Sequence, residues 1–199
     1  MAAQGLEAQP HKEPVLQELA APVRAALADG GVRVTVSGTV LDFWWVKSLA
    51  VTATPLGWAA VPEGSLVGAV RLSTGFRDIR ARAIRPGVYT LRYGVQPENG
   101  DHLGTSPFRD FLLLVPAAFD TEPPARGHKG TIELSIRTVG GAHPAVWSID
   151  PPIASEAILG RHTTELGHEA VVFEVQCVRD GKPAGALRFG LVLVGSIDA

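Results

Sequence analysis

Between residues 96 and 110 the chain gathers the side chains best suited to chemistry: Glu98, Asn99, Asp101, His102, Thr105, Ser106, Arg109 and Asp110. Carboxylate and imidazole groups are ligands for divalent metals, and a guanidinium offers a planar fork to a carboxylate or phosphate. A zinc-type site needs three or four converging ligands. This stretch alone supplies two or three, so a metal would use His102 with Asp101, Glu98 or a histidine from the C-terminal half. The run PENGDH departs from the calcium-loop pattern D-x-[DN]-x-[DN]-G. Asn99-Gly100 is a turn signal, Asp101 suits a backbone N–H, and Arg109 and Asp110 read as strand-edge charges. A solvated hairpin loop therefore accounts for most of the stretch, and His102 beside Asp101 is what it leaves over. The ligand-binding candidates are Glu98, Asp101, His102, Arg109, Asp110 and Trp45. The metal candidates are Asp101, His102, His162 and His168. No cofactor is expected, with a divalent ion as the alternative.

Three other groups carry side chains of similar chemistry. His162, Glu165 and His168 stand as H-x-x-E-x-x-H, which is not the i, i+4 spacing of H-E-x-x-H. Thr163, Thr164 and Gly167 oppose a helix there, so exposed loop histidines are expected, as for His128 and His143. Arg80 and Arg82 would share the outward face of a strand over 79–83, either gripping an acidic sugar or phosphate or pairing with carboxylates such as Asp78. Trp44 and Trp45 are adjacent, so on a strand they face opposite ways. One belongs to the core, and Trp45 is the candidate for a surface platform. Trp58 reads as a loop residue and Trp147 as core. No G-x-S-x-G elbow, P-loop, G-x-G-x-x-G or C-x-x-C occurs. Cys177 is alone, which excludes an intrachain disulfide, and its alternation with Val171, Phe173 and Val175 turns it inward.

The elements that must position these residues are mostly strands. Period-two alternation or short apolar runs mark 32–36, 40–46, 48–53, 65–73, 79–83, 89–93, 111–115, 131–139, 169–179 and 186–195. In TIELSIRTV (131–139), Ile132, Leu134 and Ile136 alternate with Glu133, Ser135 and Arg137. Asp180–Gly185 reads as a hairpin connection. About ten strands spaced 8–15 residues apart predict an all-β fold, an antiparallel sandwich or jelly roll. One amphipathic helix is expected within 13–30. Pro14 would sit in its first turn, Val15, Leu16, Leu19, Val23, Ala26 and Leu27 would form its apolar face, and Pro22 would kink it. Residues 1–12 are expected to be a flexible segment and 31–199 a single β domain.

FWWVKSL (43–49), SLVGAVRL (65–72) and RPGVYTLRYGVQPENGDHLGTSPFRDFLLL (85–114) resemble a group of uncharacterised secreted bacterial β-sandwich proteins. In that group a PG-x-Y-x-L strand follows a turn, as Pro86, Gly87, Tyr89 and Leu91 do. The resemblance implies a sandwich and export, and brings no catalytic residue with it. The AAQGLEAQP opening lacks a basic, apolar leader and looks like a mature envelope protein. A periplasmic or secreted location after signal removal is expected, with the cytoplasm as the alternative.

With 199 residues, 46% of them hydrophobic, the chain can bury a core without staples. A formal charge of −2 gives no basic face for a nucleic acid. No apolar run reaches the roughly 18 residues of a membrane helix. The functional expectation is a non-enzymatic binding or interaction module for an unknown protein or carbohydrate. The alternatives are a metal-assisted hydrolase or lyase using the 96–110 loop, or a structural subunit of a larger assembly.

Overall fold

The structure, a computed structural model, describes residues 5–97, 108–140, 143–151 and 156–195. In chain order the elements are β1 (Leu6–His11), α1 (Ala21–Ala26), β2 (Gly31–Val36), β3 (Thr39–Trp45), β4 (Leu49–Ala50), β5 (Leu66–Leu72), β6 (Phe76–Arg77), β7 (Ala83–Ile84), β8 (Gly87–Val95) and β9 (Asp110–Pro116). They continue with α2 (Gly127–Val139), β10 (Ala145–Asp150), β11 (Arg161–Thr163), β12 (Glu169–Arg179) and β13 (Lys182–Val194). Two single-turn helices, Trp58–Ala60 and Ala117–Phe119, lie between strands. The fold is mostly β, as the alternation predicts.

Among the described residues the strands join into one large curled sheet, ordered β1-β2-β3-β5-β8-β9-β10-β13-β12-β11, and β6 and β7 form a separate pair. The turn in the sheet is made at β10. Its first residues pair with β9, from Ala145 opposite Leu114, and its last pair with β13, Ile149 opposite Leu191. At the far side β4, which follows β3 after three residues, pairs in parallel with β12. The hydrogen-bonded path therefore bends back toward the strand near which it began. Strand spacing in the sequence does not distinguish two separate sheets from one sheet folded over itself.

The bend brings the aromatic residues together. Trp45 lies 4.7 Å from Phe173 and 5.3 Å from Phe189, and stacks on Phe43 at 5.4 Å. Each such pair contributes about 0.5–1.5 kcal/mol beyond burial. Tight hairpins set the register. Ser37-Gly38 and Asp180-Gly181 both have positive φ at two consecutive residues, the turn whose twist matches paired strands. Cys177 and Trp147 are buried, as their alternation predicts.

Four expectations are corrected. Residues 6–11 of the supposed flexible segment are an edge strand, with Leu6 opposite Val36 and His11 opposite Gly31. Pro10 is tolerated there because an edge strand has a side with no partner. The helix over 13–30 shrinks to Ala21–Ala26, because Pro22 fits only a first turn. Leu16, Leu19, Val23 and Leu27 are buried nonetheless, so their spacing reported burial without helix. The strand expected over 79–83 is a turn: Asp78 Oδ1 accepts the backbone N–H groups of Arg80 (3.0 Å) and Arg82 (2.9 Å). Burial raises the Asp78 pKa, against the lowering effect of those two N–H groups.

The fourth correction matters most. TIELSIRTV is the body of α2. Its sheet-facing side carries Thr131, Ser135 and Thr138, at i, i+4 and i+7, all buried. Thr138 Oγ1 donates to the Leu114 carbonyl at 2.7 Å. Ser135 Oγ contacts the Leu114 and Ala145 carbonyls at 2.8 and 3.1 Å. Gly140, at φ 66°, ends the helix in the left-handed conformation.

Candidate functional site

Alternation along β9 sorts its side chains. Leu112 and Leu114 enter the main core, while Phe111 and Leu113 turn to the α2 side. Helix α2 presents small hydroxyl residues to the sheet, and Gly94 on β8 leaves room beside them. A Cβ at Gly94 would stand 2.3 Å from Leu113 Cδ1, so Leu113 lies directly over it. The result is a pocket of about 250 Å³ between α2 and the ends of β8, β9 and β10. Phe111, Leu113, Ile132 and Val146 are among its apolar walls, and Arg80, His128 and His143 bring polar chemistry to it.

His128 is oriented, not merely present. Its Nδ1 lies 2.8 Å from Glu63 Oε1, the same oxygen that accepts the Val95 N–H at 2.8 Å. With Glu63 ionised, Nδ1 carries the proton, which fixes the ring. Arg80 is half-buried at this pocket and its pKa is lowered, first by burial and then by neighbouring Arg82, against the attraction of Asp78. A mainly apolar cavity with a few converging donors is the form of a small-molecule site.

The residues singled out from the sequence fall into three sets. Glu98, Asp101 and His102 lie outside the described residues, so their convergence with His128 or His143 is not described. Arg109 and Asp110 hold the neck of the loop. Arg109 donates from Nε (2.8 Å) and Nη2 (2.6 Å) to the Gln96 carbonyl, and the Gln96 N–H returns a bond to the Arg109 carbonyl at 2.8 Å. Asp110 Oδ1 accepts the Tyr93 hydroxyl at 2.6 Å. Burial and Asp110 together hold the Tyr93 pKa well above its ordinary value. Trp45 is core, boxed in by Phe43, Phe173 and Phe189, so it offers no surface platform.

The third set is the histidine pair His162 and His168, expected to be exposed. Both are buried. His162 Nε2 meets Asp150 at 2.7 Å and Nδ1 meets Glu156 at 2.9 Å. Burial alone would lower the His162 pKa, but the bonds to Asp150 and Glu156 more than offset it, and the pKa is raised. A ring clasped at both nitrogens has no nitrogen left for a metal. His168 stands beside Gly195, where an added Cβ would fall 2.5 Å from its ring. Among the described residues no three His, Cys, Asp or Glu side chains are grouped to hold a metal ion.

What sequence reasoning missed is the partnership of Glu63 and His128, 65 residues apart. The signal available was His128 next to a segment rich in Ser and Thr, but reading that segment as a strand sent its residues to the wrong places. No helix of the described structure is long and apolar enough to cross a membrane. No family model, no curated protein and no solved structure matches the chain.

Proposed function

We propose that this chain is a non-enzymatic binding module of the bacterial envelope or secreted fraction, and that its ligand is a small amphipathic anion held under α2. The curled sheet serves as the rigid frame that a β-sandwich provides in the proteins it resembles. One observation carries the reading: Arg80, His128 and His143 line a pocket whose other walls are mostly apolar. Arg80 supplies a permanent positive charge for the head group, and Phe111, Leu113, Ile132 and Val146 take an apolar tail. The resemblance at 43–49, 65–72 and 85–114 supports the location.

Titration with octanoate against octanol, followed by calorimetry or amide shifts, tests it. Octanoate binds and octanol binds more weakly, and Arg80→Gln lowers octanoate affinity about tenfold, the loss of one charge-assisted bond. Equal binding of alcohol and acid, or an unaffected Arg80→Gln, would remove the anion from the proposal.

A second reading, a hydrolase or lyase, is favoured by the Glu63–His128 pair. Glu63 fixes the Nδ1 proton and leaves Nε2 as a base at a ligand pocket. In a metal-assisted form His128 and His143 would supply imidazole. Turnover of simple esters that disappears in His128→Gln, or a stoichiometric divalent ion in tag-free protein, would place this reading first.

A further inference from the structure

Strand β1 runs along the rim of the sheet and pairs with β2 on one side. Its last pair is His11 opposite Gly31, and the chain then crosses Trp44 of β3. Four ties meet on Glu13, two residues further on. Its carboxylate bridges Arg33 Nη2 and Arg71 Nη2, at 2.6 Å each. Its carbonyl accepts the Trp44 indole N–H at 3.2 Å, and its backbone N–H donates to His11 Nδ1 at 3.2 Å.

The last of these ties fixes the state of the histidine. A backbone N–H can only donate, so Nδ1 is an acceptor and carries no proton. The neutral ring then holds its proton on Nε2. That atom is closed to solvent and meets no acceptor among the described residues. A Cβ on Gly31 would fall 2.8 Å from it, so the ring is seated where a glycine leaves it room. Trp44 packs edge-to-face on the same ring at 4.9 Å.

Proton uptake turns Nδ1 into a second donor facing the Glu13 N–H. The bond becomes a repulsion, and a cation appears at a half-buried position. The charges around it are Arg33 on β2, Asp42 on β3, Arg71 on β5 and Glu13, while Lys12 is exposed. The two arginines and two carboxylates already cancel, since each carboxylate is bonded to both arginines. An imidazolium is a fifth, unbalanced charge without an acceptor for either N–H. Once the strand leaves the sheet, water supplies both.

We propose that His11 is an acid-operated latch, whose protonation releases residues 6–13 from β2 and uncovers Trp44, while the buried Leu16 and Leu19 hold the chain beyond. The carboxylates do not operate it. Bonds from Arg71 and Arg33 lower the Glu13 pKa. Burial would raise that of Asp42, but bonds from the same two arginines more than offset it. Both groups stay ionised between about pH 7.5 and 5.5, where a histidine changes charge. The latch requires no ligand under α2.

Hydrogen exchange of the full chain, expressed as protection over the intrinsic rate, tests it at those two pH values. The reporters are the β1 amides and the Trp44 indole N–H, with the β8 and β9 amides as reference. In acid the reporters lose protection relative to the reference, by up to about tenfold. That is the most one histidine with an unfolded pKa of 6.5 gives one unit below it. In His11→Asn the side-chain carbonyl accepts the Glu13 N–H at either pH, and the loss disappears. The proposal is overturned if the reporters keep their protection in acid, if His11→Asn loses it as the parent does, or if ring-nitrogen shifts place the His11 proton on Nδ1 at the higher pH. Should His11→Asn fail to fold, the parent's protection and its His11 tautomer still decide the matter.

Discussion

His162 and His128 each sit 2.9 Å or less from a carboxylate, yet they belong to different kinds of region. His162 is buried with both ring nitrogens bound, to Asp150 and Glu156, and it ties the end of β10 to β11. The His128 side chain is 42% exposed at the pocket under α2, and among the described residues its one carboxylate partner is Glu63. The same residue type is architecture in one place and a poised group in the other. The difference lies in how much of its hydrogen-bonding capacity the fold has already used.

Arg92 is the extreme of the first kind. It is fully buried on β8, and Nε and Nη2 pair with the two oxygens of Asp120 at 2.6 and 2.8 Å. Its other donors reach the carbonyls of Gly64 (2.6 Å), Pro124 (3.0 Å) and Glu122. All five N–H groups are accounted for, and together they staple the 117–126 segment onto the sheet ahead of α2. Asp120→Ala should therefore give the largest loss, about 3–5 kcal/mol, because it strands a buried guanidinium. Urea unfolding measures it. A loss below about 1 kcal/mol would mean that full commitment does not identify structural polar groups in this molecule.

The next largest effect separates the buried His162 from the half-buried His11 by the sign of their pH dependence. The His162 pKa is raised, so its contribution to stability is fully present below the unfolded value of 6.5 and fades as pH rises through the folded value. The His11 pKa is lowered, chiefly by burial; Asp42 and Glu13 pull it up while Arg33 and Arg71 push it down. Its contribution is fully present above 6.5 and is lost as pH falls through the folded value. Stability measured from pH 5 to 8 in the parent, His162→Gln and His11→Gln should show these opposite slopes. Parallel curves for the two variants would contradict the assignment.

How legible these regions are in the sequence follows from what each rests on. Strands such as β2 and the second half of β12 are readable because their alternation is produced by the same one-sided burial that the structure shows, as at Val34 and Val36 or Phe173, Val175 and Cys177. Helix α2 is not. Its buried face is Thr131, Ser135 and Thr138, of which Ser135 and Thr138 bond strand carbonyls and Thr131 bonds the Gly127 carbonyl of its own helix, while Ile132, Leu134 and Ile136 carry an apolar alternation that reads as a strand. The Arg33–Asp42–Arg71 row, with Glu13 bridging at 2.6 Å to each arginine, depends on register across three strands. No local spacing encodes that. The same holds for the pocket under α2, whose lining comes from five separate stretches of chain. The 96–110 stretch stands out in the sequence by its reactive residues, whereas its described ends serve to bring strands β8 and β9 together.

The smallest expected effect separates commitment from burial. Arg109 is exposed, but its fork grips the Gln96 carbonyl through two donors. It closes the neck between Gln96 and Pro97, which line the pocket under α2, and Phe108 and Asp110, which line a groove beside Trp58. Arg109→Lys keeps the charge and loses the two-pronged grip. Because water replaces the lost bond at an exposed site, stability should change by no more than about 0.5 kcal/mol. Loosening the neck should nonetheless weaken octanoate binding, by about twofold, since Gln96 and Pro97 line that pocket. If octanoate binding is unchanged, the neck does not serve the pocket under α2. If stability falls as far as in Asp120→Ala, commitment alone decides, and burial adds nothing to the distinction between the two kinds of region.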